Sequence, residues 1–194
     1  LENRFTGWKD VPLTEKGINE ANNAGHLLKK HNIKIDKVFS SVLERANKTA
    51  EIAIKASEIE NLHKNGTLIY EKDERLNERD YGDLVGLNKA ETANKFGKEQ
   101  VHIWRRSYDT PPPNGESLKD VVNRVSPYFI EIIQPHLLNK KNVLIVAHGN
   151  SLRAIMIKVG MYKPEEISSI ELPTGSPLCL DYQNGELIEH YYLD

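Results

Sequence analysis

At 194 residues, 39% hydrophobic and 28% charged, the chain is long enough to bury a sizeable core. It contains no apolar run near the ~18 residues of a membrane span and no signal-peptide pattern at its N-terminus. A formal charge of −2 offers no bulk attraction to nucleic acid or an anionic membrane. The one cysteine, Cys179, rules out an internal disulfide and a cysteine-built metal cage, reads as a small core residue, and fits a reducing, cytoplasmic setting.

In chain order, Thr14 reads as an N-cap for an amphipathic helix over Glu15 to Lys30, with Ile18, Ala21, Leu27 and Leu28 on one side. The β-branched, apolar "IDKVFSS" (35–41) is a strand, followed at once by a helix over 42–56 with Leu43, Ala46, Ala50 and Ala53 on one face. After the Asn65-Gly66 turn, 67–72 is a second strand. Asn88 and Glu91 have capping-box spacing for a helix over 89–96, and a second helix covers roughly 98–106 before the "DTPPPNG" breaker. Ser117 caps a long helix carrying Leu118, Val121, Val122, Val125, Phe129, Ile132 and Ile133, with Pro127 expected to kink it or mark a short break. "VLIVA" (143–147) is a buried strand, and a helix follows from about Leu152 to Val159. Residues 164–170 form a short helix, and "PLCLDY", Asn184-Gly185 and "ELIEHYYL" a C-terminal hairpin. The alternation predicts an α/β fold in one domain over 1–194, with a mostly parallel central sheet covered by helices on both faces.

In such a sheet, ligands sit beyond the carboxyl ends of the strands. "FSSVLER" and "IVAHGNS" are the two strand ends that run into a helix, which brings Ser40, Ser41, Arg45, His148, Gly149, Asn150 and Ser151 to one edge. Gly149 allows close backbone approach, and a helix N-terminus attracts anions. Arg45, a cation in the first turn of its own helix, is unfavourable there without an anion nearby. His148 reads either as a core histidine or as part of a site. A nucleophile elbow fails because Arg153 stands where the turn needs glycine, and a zinc site fails for want of a second ligand. A second constellation, "RLNERDYGDLVGLNKAE" (75–91), sets Glu78, Arg79, Tyr81 and Lys89 around Gly82 and Gly86, as either a solvated loop or an active-site loop. A third is the doubled Arg105-Arg106. Like charges ~4 Å apart repel by about 4 kcal/mol at an effective dielectric of ~20, so these cations would gather only around a polyanion.

At "AHGNSLRA", "NERDYGDLVGLNK", "QVHIWRRSYD", "GWKDVPLTEKG" and "FSSVLERANKTA" the chain resembles the cofactor-dependent phosphoglycerate mutases of the histidine phosphatase (phosphoglycerate mutase-like) superfamily. The match runs in order over essentially the whole chain, with a compact "DTPPPNGESL" region. The resemblance implies interconversion of 3-phosphoglycerate and 2-phosphoglycerate in glycolysis and gluconeogenesis. A histidine carries the phosphoryl group, 2,3-bisphosphoglycerate primes it, and no metal takes part. It implies that Arg45 and His148, as a cation, hold the transferring phosphoryl group with backbone help from Gly149 and Asn150. Glu78 would be the acid/base, and Tyr81, Lys89, Arg105 and Arg106 would grip the carboxylate and the other phosphate. Thr6 and Gly7 would line the pocket. The substrate is a small phosphorylated three-carbon acid, with no nucleic-acid or membrane partner, and a homodimer is open.

The family's nucleophile lies in an Arg-His-Gly motif at the end of a first strand, ahead of "NRFTGW". His26, His31, His63, His102, His136 and His190 do not stand in that motif. The expectation is therefore that the phospho-accepting histidine and the first central strand precede Leu1. The alternatives are a histidine-type phosphomonoester phosphatase on the same fold and an inactive, truncated pseudoenzyme.

Overall fold

The computed structural model describes residues 3–194. Its centre is β1 (Lys37–Ser40), flanked by β4 (Glu71–Lys72) and β5 (Val143–Val146) in a three-stranded, wholly parallel sheet ordered β4-β1-β5. Phe39 pairs with Glu71 on one side and Ile145 on the other. Successive strand residues point to opposite faces, and β1 uses both. Val38 packs with Leu28, Ala50 and Ile54 from α1 (Glu15–Lys30) and α2 (Glu44–Ser57). Phe39 packs with Val121 and Val125 from α5 (Leu118–Tyr128) and with Ala154 and Ile155 from α7 (Gly149–Lys158). The sheet is thus covered on both faces, as the alternation of elements requires. On the α1/α2 side the helices meet at Gly25, where a Cβ would stand 2.3 Å from the Ala53 carbonyl oxygen. The far edge of β5 has no strand partner among the described residues, and its four residues are only half-buried.

The strand expected over 67–72 is divided. Asn65 and Gly66 both take positive φ (52° and 77°), the geometry of a tight hairpin. Hence β2 (His63–Lys64) and β3 (Thr67–Leu68) pair antiparallel, and only Glu71–Lys72 reaches the main sheet. Pro127 does not stop its helix. It removes one backbone donor, and the ladder widens just beyond it into a π-helical turn, Phe129–Ile133, before α6 (Gln134–Leu138) resumes. The helix expected from Leu152 begins earlier, at Gly149. The His148 N–H donates to Ser151 Oγ and the Ser151 hydroxyl to the His148 carbonyl, both at 3.1 Å, which fixes the corner. Helices α3 (Lys89–Phe96) and α4 (Lys98–Arg106) match their expected bounds, and the Asn88 side chain accepts from the Ala90 and Glu91 N–H groups. Helix α8 (Pro164–Ile167) ends short of Ile170, and β6 (Leu178–Gln183) with β7 (Glu186–Tyr192) forms the hairpin. Cys179 is half-buried against the Val38 core, where burial raises its thiol pKa.

Candidate active site

The carboxyl ends of β1 and β5 are tied together. Ser40 Oγ donates to the Val146 carbonyl at 2.9 Å, and Ser41 Oγ lies 2.7 Å from His148 Nε2. Ser41 is fully buried and His148 is 8% exposed. The Leu43 N–H already occupies one lone pair of Ser41 Oγ, at 3.2 Å, so the hydroxyl proton is free to point at Nε2. Burial pushes the His148 pKa down to about 4; the charge of Glu78 pulls the other way, and Arg45 and Arg124 push further down. His148 is therefore neutral near pH 7, whereas the family resemblance implies a cation around a transferring phosphoryl group. An anion placed beside it would favour the charged ring.

Arg45 opens α2 as expected and reaches across to the preceding loop, donating to the Gly7 carbonyl at 2.8 Å and the Lys9 carbonyl at 3.1 Å. Leu43 supplies no side-chain cap to this helix. Asp10 supplies one from a distance, accepting from the Glu44 N–H at 2.8 Å. Burial lowers the pKa of Arg45, while the charges of Glu78 and Asp10 oppose that. Thr6 stands beside Gly7 and accepts the Lys9 N–H through its carbonyl. Gly7 is wedged against the Tyr81 N and Arg79 O, at 3.3 and 3.5 Å from where a Cβ would sit.

Glu78 lies opposite the start of α7. Its Oε1 accepts from the Asn150 N–H at 3.2 Å, from Asn150 Nδ2 at 2.9 Å and from the Arg79 N–H at 2.7 Å. The Asn150 donors expected to serve a phosphoryl group are thus engaged by Glu78. A Cβ on Gly149 would lie 3.9 Å from Glu78 Oε2 and 3.0 Å from Arg153 Nη1, so the glycine leaves room for Arg153 to approach the start of α7.

Glu78, Gly149 and Asn150 open into a cleft of about 250 Å³ whose other walls include Tyr81, Arg105, Arg106 and two arginines that the sequence reading left unassigned, Arg79 and Arg153. Arg79 is 1% exposed. It donates to Tyr81 Oη and the Arg105 carbonyl, its guanidinium sits 4.7 Å from the Tyr81 ring centroid, and its Nε has no partner. Arg153 donates to the Ile170 carbonyl at 2.8 Å, and burial followed by the neighbouring Arg106 lowers its pKa. Arg106 reaches the Ser168 carbonyl at 3.3 Å. Lys89 does not line the cleft, but it is close enough that Arg105 adds to burial in lowering its pKa, while Glu78 raises it. Of the predicted residues, then, Glu78, Tyr81, Arg105, Arg106, Gly149 and Asn150 meet in the cleft, and Arg45, His148, Gly7 and Thr6 form the adjoining corner. Arg153 was findable, since it lies one helical turn beyond Asn150. A larger hollow of about 530 Å³ between α1 and Thr174–Gly175 is open and lined by Glu15, Lys16 and Asn19 among others, with no such convergence of charge.

The profile of the Histidine phosphatase superfamily (branch 1) matches residues 1–193. The chain belongs to that superfamily. It is 51% identical over 188 residues to the 2,3-bisphosphoglycerate-dependent phosphoglycerate mutase of Bartonella bacilliformis, covering 97% of this chain and 88% of that one. It is 49% identical to the protein of the same name from Mesorhizobium japonicum, over 92% of this chain and 84% of the relative. Among solved structures, Bacillus stearothermophilus YhfR superposes with a TM-score of 0.80 at 27% identity, covering 96% of this chain and 87% of that one. For a member of the superfamily, the arrangement at the sheet edge is the expected place for chemistry.

Proposed function

We propose that the protein interconverts 3-phosphoglycerate and 2-phosphoglycerate, with 2,3-bisphosphoglycerate supplying the priming phosphoryl group. The observation that carries this reading is the meeting of Glu78, Arg79, Tyr81, Arg105, Arg106 and Arg153 in one cleft, in a chain about half identical to mutases of that name. Phosphoryl transfer is mainly a matter of position and charge stabilisation, and a small acid with several negative charges offsets the repulsion among these cations.

In this reading the phosphoryl group travels on the histidine of the Arg-His-Gly motif that the family resemblance implies. Arg45 and His148 flank the transferring group, and the anion draws a proton onto the His148 ring. Glu78 takes the proton from the attacking substrate hydroxyl as its oxygen bonds to phosphorus and the bond from phosphorus to the histidine nitrogen breaks. It returns the proton to the alternate oxygen as the bond from that oxygen to phosphorus breaks and the phosphoryl group bonds again to the histidine nitrogen. Oε2 suits this task, because Oε1 is held by Asn150 and Arg79. Arg105 and Arg106, with Tyr81 and Lys89, hold the carboxylate and the phosphate that stays, beside the Thr6-Gly7 turn.

Isomerisation by the full-length protein, measured with and without 2,3-bisphosphoglycerate, tests this. Turnover that rises with the bisphosphate is expected. Phosphate release without isomerisation would make the protein a phosphomonoester phosphatase, and ligand binding with neither turnover nor an acid-labile phosphoenzyme would make it a pseudoenzyme. Either result overturns the proposal.

A further inference from the structure

The segment carrying Glu78 is short and irregular: a 3₁₀ turn, Glu74–Leu76, followed by extended chain and a second 3₁₀ turn, Gly82–Leu84. No helix or strand holds the Glu78 backbone in place. Side chains from elsewhere in the chain do, Arg124 with the most bonds. Arg124, on α5, donates through Nη1 to the Arg75 carbonyl at 2.7 Å and through Nη2 to the carbonyls of Asn77 (3.1 Å) and Glu78 (3.0 Å). The same guanidinium forks onto Glu116, Nε to Oε1 at 2.7 Å and Nη2 to Oε2 at 2.9 Å. Glu116 is itself anchored to the segment, since its Oε2 accepts the Asp80 N–H and its own N–H donates to the Asp80 carbonyl. Trp8 Nε1 completes the cradle with a 2.6 Å bond to the Glu78 carbonyl. The Arg124 and Glu116 side chains are 16% and 21% exposed, so little water competes for these bonds.

The arrangement is more than a way of satisfying a loop. Three carbonyls of the segment converge on one planar group whose orientation the Glu116 carboxylate fixes, and a lysine could not reproduce the fork. With the main chain pinned at Arg75, Asn77, Glu78 and Asp80, the Glu78 side chain has one short route, on to the Asn150 donors. That leaves Oε2 beside Gly149, 3.9 Å from where a Cβ on that residue would sit. Arg124 does not line the cleft; its guanidinium packs 5.7 Å from the ring centroid of Trp8, the residue after Gly7.

We propose that Arg124, locked by Glu116, is a positioning residue that acts through Glu78 and holds its carboxylate where the substrate hydroxyl must exchange its proton. The proposal rests on the acid/base role given to Glu78 above. Reactions that depend on alignment lose ~10²-fold for a misplacement of about 1 Å.

A double-mutant cycle between Arg124→Lys and Glu78→Gln, run on the full-length protein, tests it. Alone, Arg124→Lys is expected to lower kcat about 100-fold, while KM changes by less than about threefold because the arginines of the cleft are untouched. On the Glu78→Gln background the same substitution is expected to cost about threefold or less, because the group it positions is already disabled. A full 100-fold loss on that background would show that Arg124 acts independently of Glu78 and would overturn the proposal. So would a kcat within threefold of the unsubstituted protein in Arg124→Lys alone. A loss of kcat matched by a proportional rise in KM would show general disorder of the site and is equally fatal. If Arg124→Lys does not fold, as judged by thermal unfolding, Glu116→Gln loosens the same fork and carries the same cycle. The cycle is read on whichever turnover the unsubstituted protein shows, isomerisation or phosphate release. A failed mutase reading is therefore visible in the unsubstituted protein, and a failed positioning role only in the Arg124 variants and their coupling to Glu78.

Discussion

The corner at the ends of β1 and β5 and the cleft beside it are built on opposite principles. In the corner nearly every polar atom has its partner before any ligand arrives: Ser41 with His148 and Leu43, and Arg45 with Gly7 and Lys9. Its histidine is buried and neutral. The cleft gathers four arginines against one carboxylate, leaves the Nε of the buried Arg79 without a partner, and keeps Arg105 and Arg106 at its exposed rim. A satisfied, desolvated corner holds geometry, which suits the step in which bonds change. A crowded cationic cleft is less stable than it would be with an anion in it, which suits capture and release of a charged substrate.

The largest effect that could break this contrast comes from the cleft. Arg105→Ala together with Arg106→Ala removes two charge-assisted partners worth about 1.5–3 kcal/mol each. The expected outcome in steady-state kinetics is a rise in KM of about 100-fold or more with a smaller fall in kcat. Relief of the repulsion around Arg153 and Lys89 should leave the melting temperature of the double variant unchanged or slightly raised. A collapse of kcat with KM intact would mean that the cleft holds geometry as the corner does, and the division of labour would fail.

The same contrast explains what was legible in the sequence. The corner is local: a β-branched run ending in Ser40-Ser41, another ending in His148, and helices starting directly after each. The parallel sheet, its two covered faces and most of the corner follow from periodicity and strand-end logic. The cleft is assembled from residues far apart in the chain, Glu78 and Arg79 from an irregular segment, Arg105 and Arg106 from α4, and Arg153 from α7. No spacing rule links them; the family resemblance brought in Arg105 and Arg106 but passed over Arg79 and Arg153. The division of 67–72 between two sheets was hidden because a hairpin turn competes with the main sheet for the same short apolar run. The neutral state of His148 could not be read either, since it depends chiefly on burial, which no local motif displays.

A sharper test uses acid. His148 has a folded-state pKa of about 4 against 6.5 for an ordinary histidine. Below pH 6.5 the unfolded chain therefore takes up a proton that the folded chain refuses until about pH 4. Stability is accordingly fully present above pH 6.5 and falls with pH through that window, by at most about 3 kcal/mol. Urea unfolding at a series of pH values should show this slope, and His148→Gln should flatten it. Inorganic phosphate in the site should shrink it too, because an anion beside the ring raises the folded-state pKa. An unchanged slope in His148→Gln would assign the acid sensitivity elsewhere and remove the buried, neutral histidine from the corner's description.

The smallest effect makes the comparison most direct, because the same chemical deletion can be made in both regions. Ser41 is fully buried and its hydroxyl serves both His148 Nε2 and the Leu43 N–H. Ser107 lines the cleft, half-buried, and its hydroxyl serves Asp109 and the Thr110 N–H near solvent. Deleting a buried hydroxyl strands its partners without water, at about 1–2 kcal/mol, while water replaces a rim hydroxyl at less than about 0.5 kcal/mol. Chemical denaturation of Ser41→Ala and Ser107→Ala should therefore differ by about 1 kcal/mol in the order given. Equal costs would mean that water already reaches the corner, and a corner open to water could not hold His148 neutral by burial.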